Sequence, residues 1–229
     1  MAERTFEPAH RSNRSADATG VDAGNPASRV TEHCILDDLD KTLQKLLLDA
    51  ERGLPKFDLK PTITFATPDS KFSPSAATIN LFLYDVRENR DLRTNELVVE
   101  RSDDGKALLK PPPTRIDCSY LVTAWAGDGA AESEHRLLGA VMLVLLRAPT
   151  IPANLLQGEL MKWHAALPVA TLQPGRLQSI GEFWQASGGR PKAVLNCTVT
   201  ISVETETGKE KPIVTERIVR MKVGATEET

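Results

Sequence analysis

The chain has 229 residues, of which 26% are charged and 41% hydrophobic, with a formal net charge of −3. That composition belongs to a globular chain long enough to bury a sizeable core, and it offers no basic field for nucleic acid or an anionic membrane. The longest fully apolar run, Gly139 to Leu146, is far too short to span a bilayer, so direct membrane insertion is not expected.

Met1 to Arg29 carries only Met1, Phe6 and Val21 as large apolar residues, so the first expectation is a polar arm (1–29) with no core of its own. Its opening residues lack the apolar run of a secretory signal, and the chain is expected to be made in the cytoplasm. Residues 30–224 are then expected to form a single domain, with 225–229 a polar tail.

Val30 to Arg52 reads as a helix. Ile35, Leu36, Leu39, Leu43, Leu46, Leu47 and Ala50 form one apolar stripe, and Asp37, Asp38, Lys41, Lys45 and Asp49 take the other positions. Thr31 can cap its start, and Gly53 and Pro55 stop it. Pro61 to Ala66 is a short strand with Ile63 and Phe65 on one face. Thr67 to Pro74 is a turn.

Ile79 to Val86 is the central strand, with Ile79, Leu81 and Leu83 on one side and Phe82, Tyr84 and Val86 on the other. Apolar residues on both sides predict cover on both faces. The strand then runs into Arg87, Glu88, Asn89, Arg90, Asp91 and Arg93. Such a cluster is either a solvated strand end or a contact surface where arginine forks meet a neighbour's carboxylates. Tyr84 and Trp125 are candidate anchors of that contact, although each residue type also serves in cores.

A further short strand fits Glu96 to Glu100, and Ser102 to Pro113 reads as a loop ending in three prolines. Arg115 to Ala126 is a second inner strand, with Ile116, Cys118, Tyr120, Val122 and Ala124 on one face and Leu121 and Trp125 on the other. After Gly127-Asp128-Gly129, Ser133 is the expected cap of a helix to Arg147. That helix is apolar nearly all round, which predicts that it is deeply buried or clamped between two surfaces. An aspartate at Leu138 or Leu145 is expected to abolish folding. Thr150 to Gln173 is irregular, with at most a short element near Leu155 to Leu167. Leu177 to Ala186 is a short helix ended by Gly188-Gly189. A long hairpin closes the chain: Val194 to Thr205, a turn at Thr207-Gly208-Lys209, and a return over Pro212 to Val223.

Little in the pattern asks for catalysis, a cofactor or a metal. Four histidines (His10, His33, His135, His164) and three cysteines (Cys34, Cys118, Cys197) show no zinc-type spacing, His33-Cys34 included. The cysteines read as buried reduced thiols. Glu132, Glu134 and His135 could do acid–base work, but acids in a first helical turn also answer the helix dipole. The strand–Gly127-Asp128-Gly129–helix unit lacks the phosphate-loop lysine, and Asp128, Glu132 and Glu134 would repel phosphate.

Asn80-Leu-Phe-Leu-Tyr-Asp-Val-Arg-Glu-Asn-Arg-Asp-Leu-Arg93 resembles a signature of the cap-protein family of extracellular contractile injection systems. Three other segments fit that family in order: Ile35-Leu-Asp-Asp-Leu39, the proline-led strand Pro112 to Trp125, and the helix Glu134-His-Arg-Leu-Leu-Gly to Leu146. Phe183-Trp184 and Val194 to Val203 follow where the family has its tryptophan-bearing helix and last core strand. The resemblance covers roughly residues 30–203. It implies an α/β (α+β) fold similar to phage tail terminators, a mixed and largely antiparallel sheet with helices packed on it. It also implies a structural protein: a hexameric ring at the baseplate-distal end of the particle, capping the inner tube and touching the last sheath ring. Two departures from the family are the longer polar arm and the lack of a carboxy-terminal region that some relatives carry, and both bear on the sheath contacts.

The residues proposed for subunit contact are Tyr84, Arg87, Glu88, Asn89, Arg90, Arg93, Asn95, Gly208 and Lys209, with the amino-terminal arm beside them. Competing readings are another particle component, such as a tail-completion or baseplate protein, and a small cytosolic enzyme or ligand-binding domain.

Overall fold

The computed structural model describes residues 35–49, 51, 53–55, 60–101, 106–162, 166–174, 179–205 and 208–212. All belong to the unit formed by residues 33–229. The amino-terminal arm, Thr31, His33, Cys34, His164, Thr207, the return over 213–223 and the 225–229 tail lie outside the described residues.

The architecture is mixed α/β, as the sequence predicts. Strands β1 (Thr62–Thr64), β2 (Thr78–Glu88), β5 (Thr114–Trp125), β6 (Thr150–Ile151), β7 (Leu167–Thr171) and β8 (Val194–Val203) form one sheet in the order β1-β2-β5-β8-β7-β6. Only the β1–β2 pair is parallel. Strands β3 (Val98–Arg101), β4 (Lys106–Lys110) and β9 (Lys209–Pro212) form a second, three-stranded sheet in the order β3-β4-β9.

The first face of the large sheet is the alternation read from the sequence: Ile79 and Leu81 on β2, Cys118, Tyr120 and Val122 on β5, Leu195, Cys197, Val199 and Ile201 on β8, all buried. Helix α1 (Ile35–Leu48) closes over it with Leu39, Leu43, Leu46 and Leu47, each fully inaccessible. Helix α2 (Ala131–Arg147) joins the same cluster through Leu137, Leu138, Val141, Val144 and Leu145. The Tyr120 hydroxyl ties the sheet to α1 by donating to Asp40 Oδ1 at 2.8 Å.

Asp38, assigned by periodicity to the outer face of α1, is instead buried. Its carboxylate accepts from the Glu159 amide at 3.0 Å, and Thr42 accepts from the Gln157 amide at 3.0 Å. These bonds fasten the 3₁₀ turns Ala153–Leu155 and Gly158–Lys162 onto the helix. Gly158 sits at φ +53 directly against the Asp38 carboxylate, where a Cβ would collide with it.

Other expectations change as well. Helix α2 begins at Ala131, not at a Ser133 cap: Asp128 accepts from the Ala130 amide at 2.9 Å and from Ser133 Oγ at 3.2 Å, and so closes the helix start. Its apolar circumference is not wholly covered, since Leu143 and Leu146 are 48% and 49% exposed. The loop over Ser102 to Pro113 contains β4, and the irregular Thr150 to Gln173 contains β6 and β7. Of the closing hairpin, the first arm is β8, which pairs with β5 along its whole length; Lys209, read as part of the turn, opens β9, which pairs with β4 in the other sheet, and the return over 213–223 lies outside the described residues. A further change is a shift of register in β2. Helix α3 (Ile180–Ser187) does match its pattern, capped by Ser179, which accepts from the Glu182 amide, and ended at Gly188 with φ 65.

Candidate functional site

Strand β2 pairs in regular register with β5 as far as Leu83↔Tyr120, then resumes at Asp85↔Ser119, leaving Tyr84 as a bulged extra residue. A bulge moves the side-chain alternation on by one. Asp85 and Arg87 therefore share the second face with Phe82, opposite Ser119 and Asp117. Val86, expected beside Phe82 and Tyr84, turns to the first face opposite Cys118, and at the open end of the strand it is 46% exposed.

The second face is thus divided. Its near half is aromatic: Phe82 lies 5.9 Å from Phe183 of α3, and Trp125 packs edge-on to Phe72 at 5.0 Å. Lys192 Nζ stands 4.3 Å above the Trp125 ring and pairs with Glu134. Trp125 is consequently core, not an exposed anchor. Tyr84 is half-buried, its hydroxyl donating to Asn196 Oδ1 at 3.3 Å.

The far half is polar. Asp117, 8% exposed, accepts from Asn89 Nδ2 at 3.1 and 3.2 Å and from Thr200 Oγ1 at 2.7 Å. Asn89 Oδ1 in turn accepts from the Leu92 amide at 3.2 Å, which caps the 3₁₀ turn Arg90–Leu92. One buried carboxylate therefore holds the whole turn that follows β2. The arginine forks are already engaged within the chain. Arg87 grips Asp85 through Nε at 2.5 Å and Nη2 at 2.8 Å, and Arg93 grips Glu88 the same way. The Arg93 guanidinium holds the Glu88 carboxyl below its usual range.

Two open depressions flank Glu88. One, of about 510 Å³, is lined by Asp85, Arg87, Glu88, Asn89, Arg90, Asp91 and Asp117. The other, of about 230 Å³, is lined by Glu88, Arg93, Thr94, Asn95 and Arg115 with the residues of the proline-led turn. Six of the sequence-derived contact residues thus line one continuous polar surface: Arg87, Glu88, Asn89, Arg90, Arg93 and Asn95. Gly208 and Lys209 do not line it. Lys209 opens β9 opposite Leu109, and Gly208 packs on Leu108 and Lys110. The sequence reading missed Asp85, Asp117 and Thr200. Their only signal was a cross-strand alignment with Arg87, hidden until the bulge is known.

This surface can present charge and hydrogen bonds to another protein. Among the described residues no group of three His, Cys, Asp or Glu side chains is placed to hold a metal ion. Cys118 and Cys197 are buried free thiols whose ionisation burial pushes up to about 12, so they carry no nucleophilic thiolate near neutrality. Glu134 is occupied by Lys192, and Asp128 by the start of α2.

Residues 38–216 match the family described as the Pvc16 N-terminal domain. Among solved structures, the sheath/tube terminator of the PVC extracellular contractile injection system, in its extended state, shares 25% identity at a TM-score of 0.60, covering 85% of this chain and 65% of that one. The tube-terminating cap of the anti-feeding prophage shares the fold at 23% identity and a TM-score of 0.56, covering 82% and 62%. The chain therefore spans somewhat less than two thirds of the length of either structure. No curated protein matches the sequence.

Proposed function

This chain belongs to the Pvc16 N-terminal domain family, and from that premise we propose that it is the cap of a contractile injection particle, closing the tube at the end away from the baseplate. The observation that carries this reading is the likeness to the PVC sheath/tube terminator, which extends over 85% of the chain. The proposed role is structural, without turnover. Copies made in the cytoplasm assemble as a closed ring, six in number, on the last tube and sheath subunits. Among the described residues no helix is long and apolar enough to cross a membrane.

A ring with a single kind of subunit needs two different patches on each copy, and a cap needs a third that matches the tube or sheath on one side only. The surface around Glu88 suits such a contact. Its charges are paired in place by Asp85 and Glu88, so docking costs less side-chain ordering than free arginines would. Arg90 and Asp91 line the same depression and supply the specific charges. Particles assembled without this chain test the role. The proposal expects tubes and sheaths of uncontrolled length with unclosed ends. Particles of normal, uniform length would count against it.

A further inference from the structure

Helix α2 has two unlike sides. Leu137, Leu138, Val141, Val144 and Leu145 enter the core. Arg136, Gly139, Ala140, Leu143, Leu146 and Arg147, spaced by threes and fours, run along the opposite side, where both leucines are about half exposed. Gly139 stands in mid-helix, where alanine would hold the backbone better. A Cβ there would meet nothing within 4 Å, so packing inside the chain does not call for glycine. Close approach by another body does. The same side is basic. After Glu134, which pairs with Lys192, the helix carries Arg136 and Arg147 and no acid, and the exposed Glu132 lies back in its first turn. Among the described residues no ion pair engages either arginine.

The surface around Glu88 holds the complement. Arg87 and Arg93 are paired with Asp85 and Glu88, and Arg90 adds its attraction to Glu88. Asp91 and Glu96 keep charges that no ion pair engages among the described residues. Each stands beside an exposed leucine, Leu92 at 51% and Leu97 at 54%. Two leucines and two unpaired acids thus answer two leucines and two unpaired arginines. The patches belong to different ends of the sheet. Glu88 pairs with Ile116 near the start of β5, whereas α2 follows the other end of β5, beyond Trp125.

We propose that the 136–147 side of α2 in one copy docks on the 91–97 stretch of the next, leucines against leucines and arginines towards Asp91 and Glu96. The inference rests on the ring reading and specifies one of its junctions. Each copy carries both patches and they differ, so the links run head to tail and can close.

The test uses full-length chains with one patch disabled. Gly139→Trp sets bulk on the helix side, and Asp91→Lys with Leu92→Lys turns the receiving stretch basic. Leu143→Asp is a second helix variant. Sedimentation gives the assembled mass, and melts at low concentration report the fold. The proposal expects each variant alone to fall to the single-chain mass of 25.0 kDa with its Tm little changed. Gly139→Trp mixed one to one with the lysine variant should form pairs and nothing larger, since just one working junction remains. If the full chain assembles and any variant still matches it, or if the mixture stays single, the junction is wrong while the ring stands. If Gly139→Trp and Leu143→Asp both unfold the single chain, that side of α2 is covered within its own copy, and the junction is again overturned. If the full chain itself sediments as single copies, the ring reading fails and the junction with it.

Discussion

Helix α2 provides a matched pair of leucines for testing how the fold is held. Leu145 is 1% exposed within the main cluster, and Leu143, two residues earlier on the same helix, is 48% exposed. Truncating Leu145 to alanine removes buried methyl groups and leaves a cavity between α2 and the sheet, at a cost of about 2–5 kcal/mol. The same change at Leu143 removes half-solvated atoms and should stay within about 0.5 kcal/mol, helped slightly by the better helix propensity of alanine. For a domain of this size about 1 kcal/mol corresponds to 2–4 °C in Tm, so Leu145→Ala should lower Tm by roughly 4–20 °C and Leu143→Ala by no more than about 2 °C. Circular dichroism melts at low protein concentration measure both. Equal losses would show that α2 is covered on both sides within a single chain, and the one-sided packing argued above would fail. A Leu143 loss that emerges only as concentration rises would mark its face as a contact between copies.

Charge reversal at Arg87 and Arg93 together removes two paired but exposed arginines, so the fold should survive with little change in Tm, while assembly into rings is lost. Mass by light scattering alongside a melt separates these effects. Asp117→Ala should cost about 1–3 kcal/mol, because Asn89 and Thr200 each lose a buried acceptor, and should speed exchange of the Leu92 amide. Tyr120→Phe should cost about 1 kcal/mol at neutral pH. Burial, opposed by the Tyr120 hydrogen bond, holds the Asp40 carboxyl above its ordinary value. The folded state therefore prefers protonated Asp40, and its contribution to stability falls as pH rises through that raised value. Losing the tyrosine hydroxyl raises it further, so the gap in Tm between Tyr120→Phe and the unaltered chain should widen from about pH 3 towards pH 7. A gap independent of pH would sever the link between the two groups.

Much of the core was legible from periodicity alone. The stripe Leu39, Leu43, Leu46, Leu47 and the alternation Ile116, Cys118, Tyr120, Val122, Ala124 needed no tertiary information, because burial imposes one spacing on helices and another on strands. The bulge at Tyr84 was not legible. A run of apolar residues on both sides carries no mark of where one residue drops out of register, so Val86 was assigned to the wrong face. Asp38 and Thr42 look like any outer helix positions until the chain at Gln157 to Glu159 returns to use them. Strand β4 was obscured by its neighbours, since turn residues before it and three prolines after it leave only Ala107, Leu108 and Leu109 as a signal. The contact surface was half legible: its charges were plain, but their pairing with Asp85 and Glu88 and the clasp at Asp117 depend on cross-strand register.

A cap is defined by where it sits in the particle. Particles assembled with a copy of this chain bearing a compact electron-dense tag, imaged and averaged along their length, measure that directly. A single ring of six tags beyond the last sheath ring, opposite the baseplate, is the expected result. Tags at the baseplate, along the shaft, or on no particle at all would contradict it.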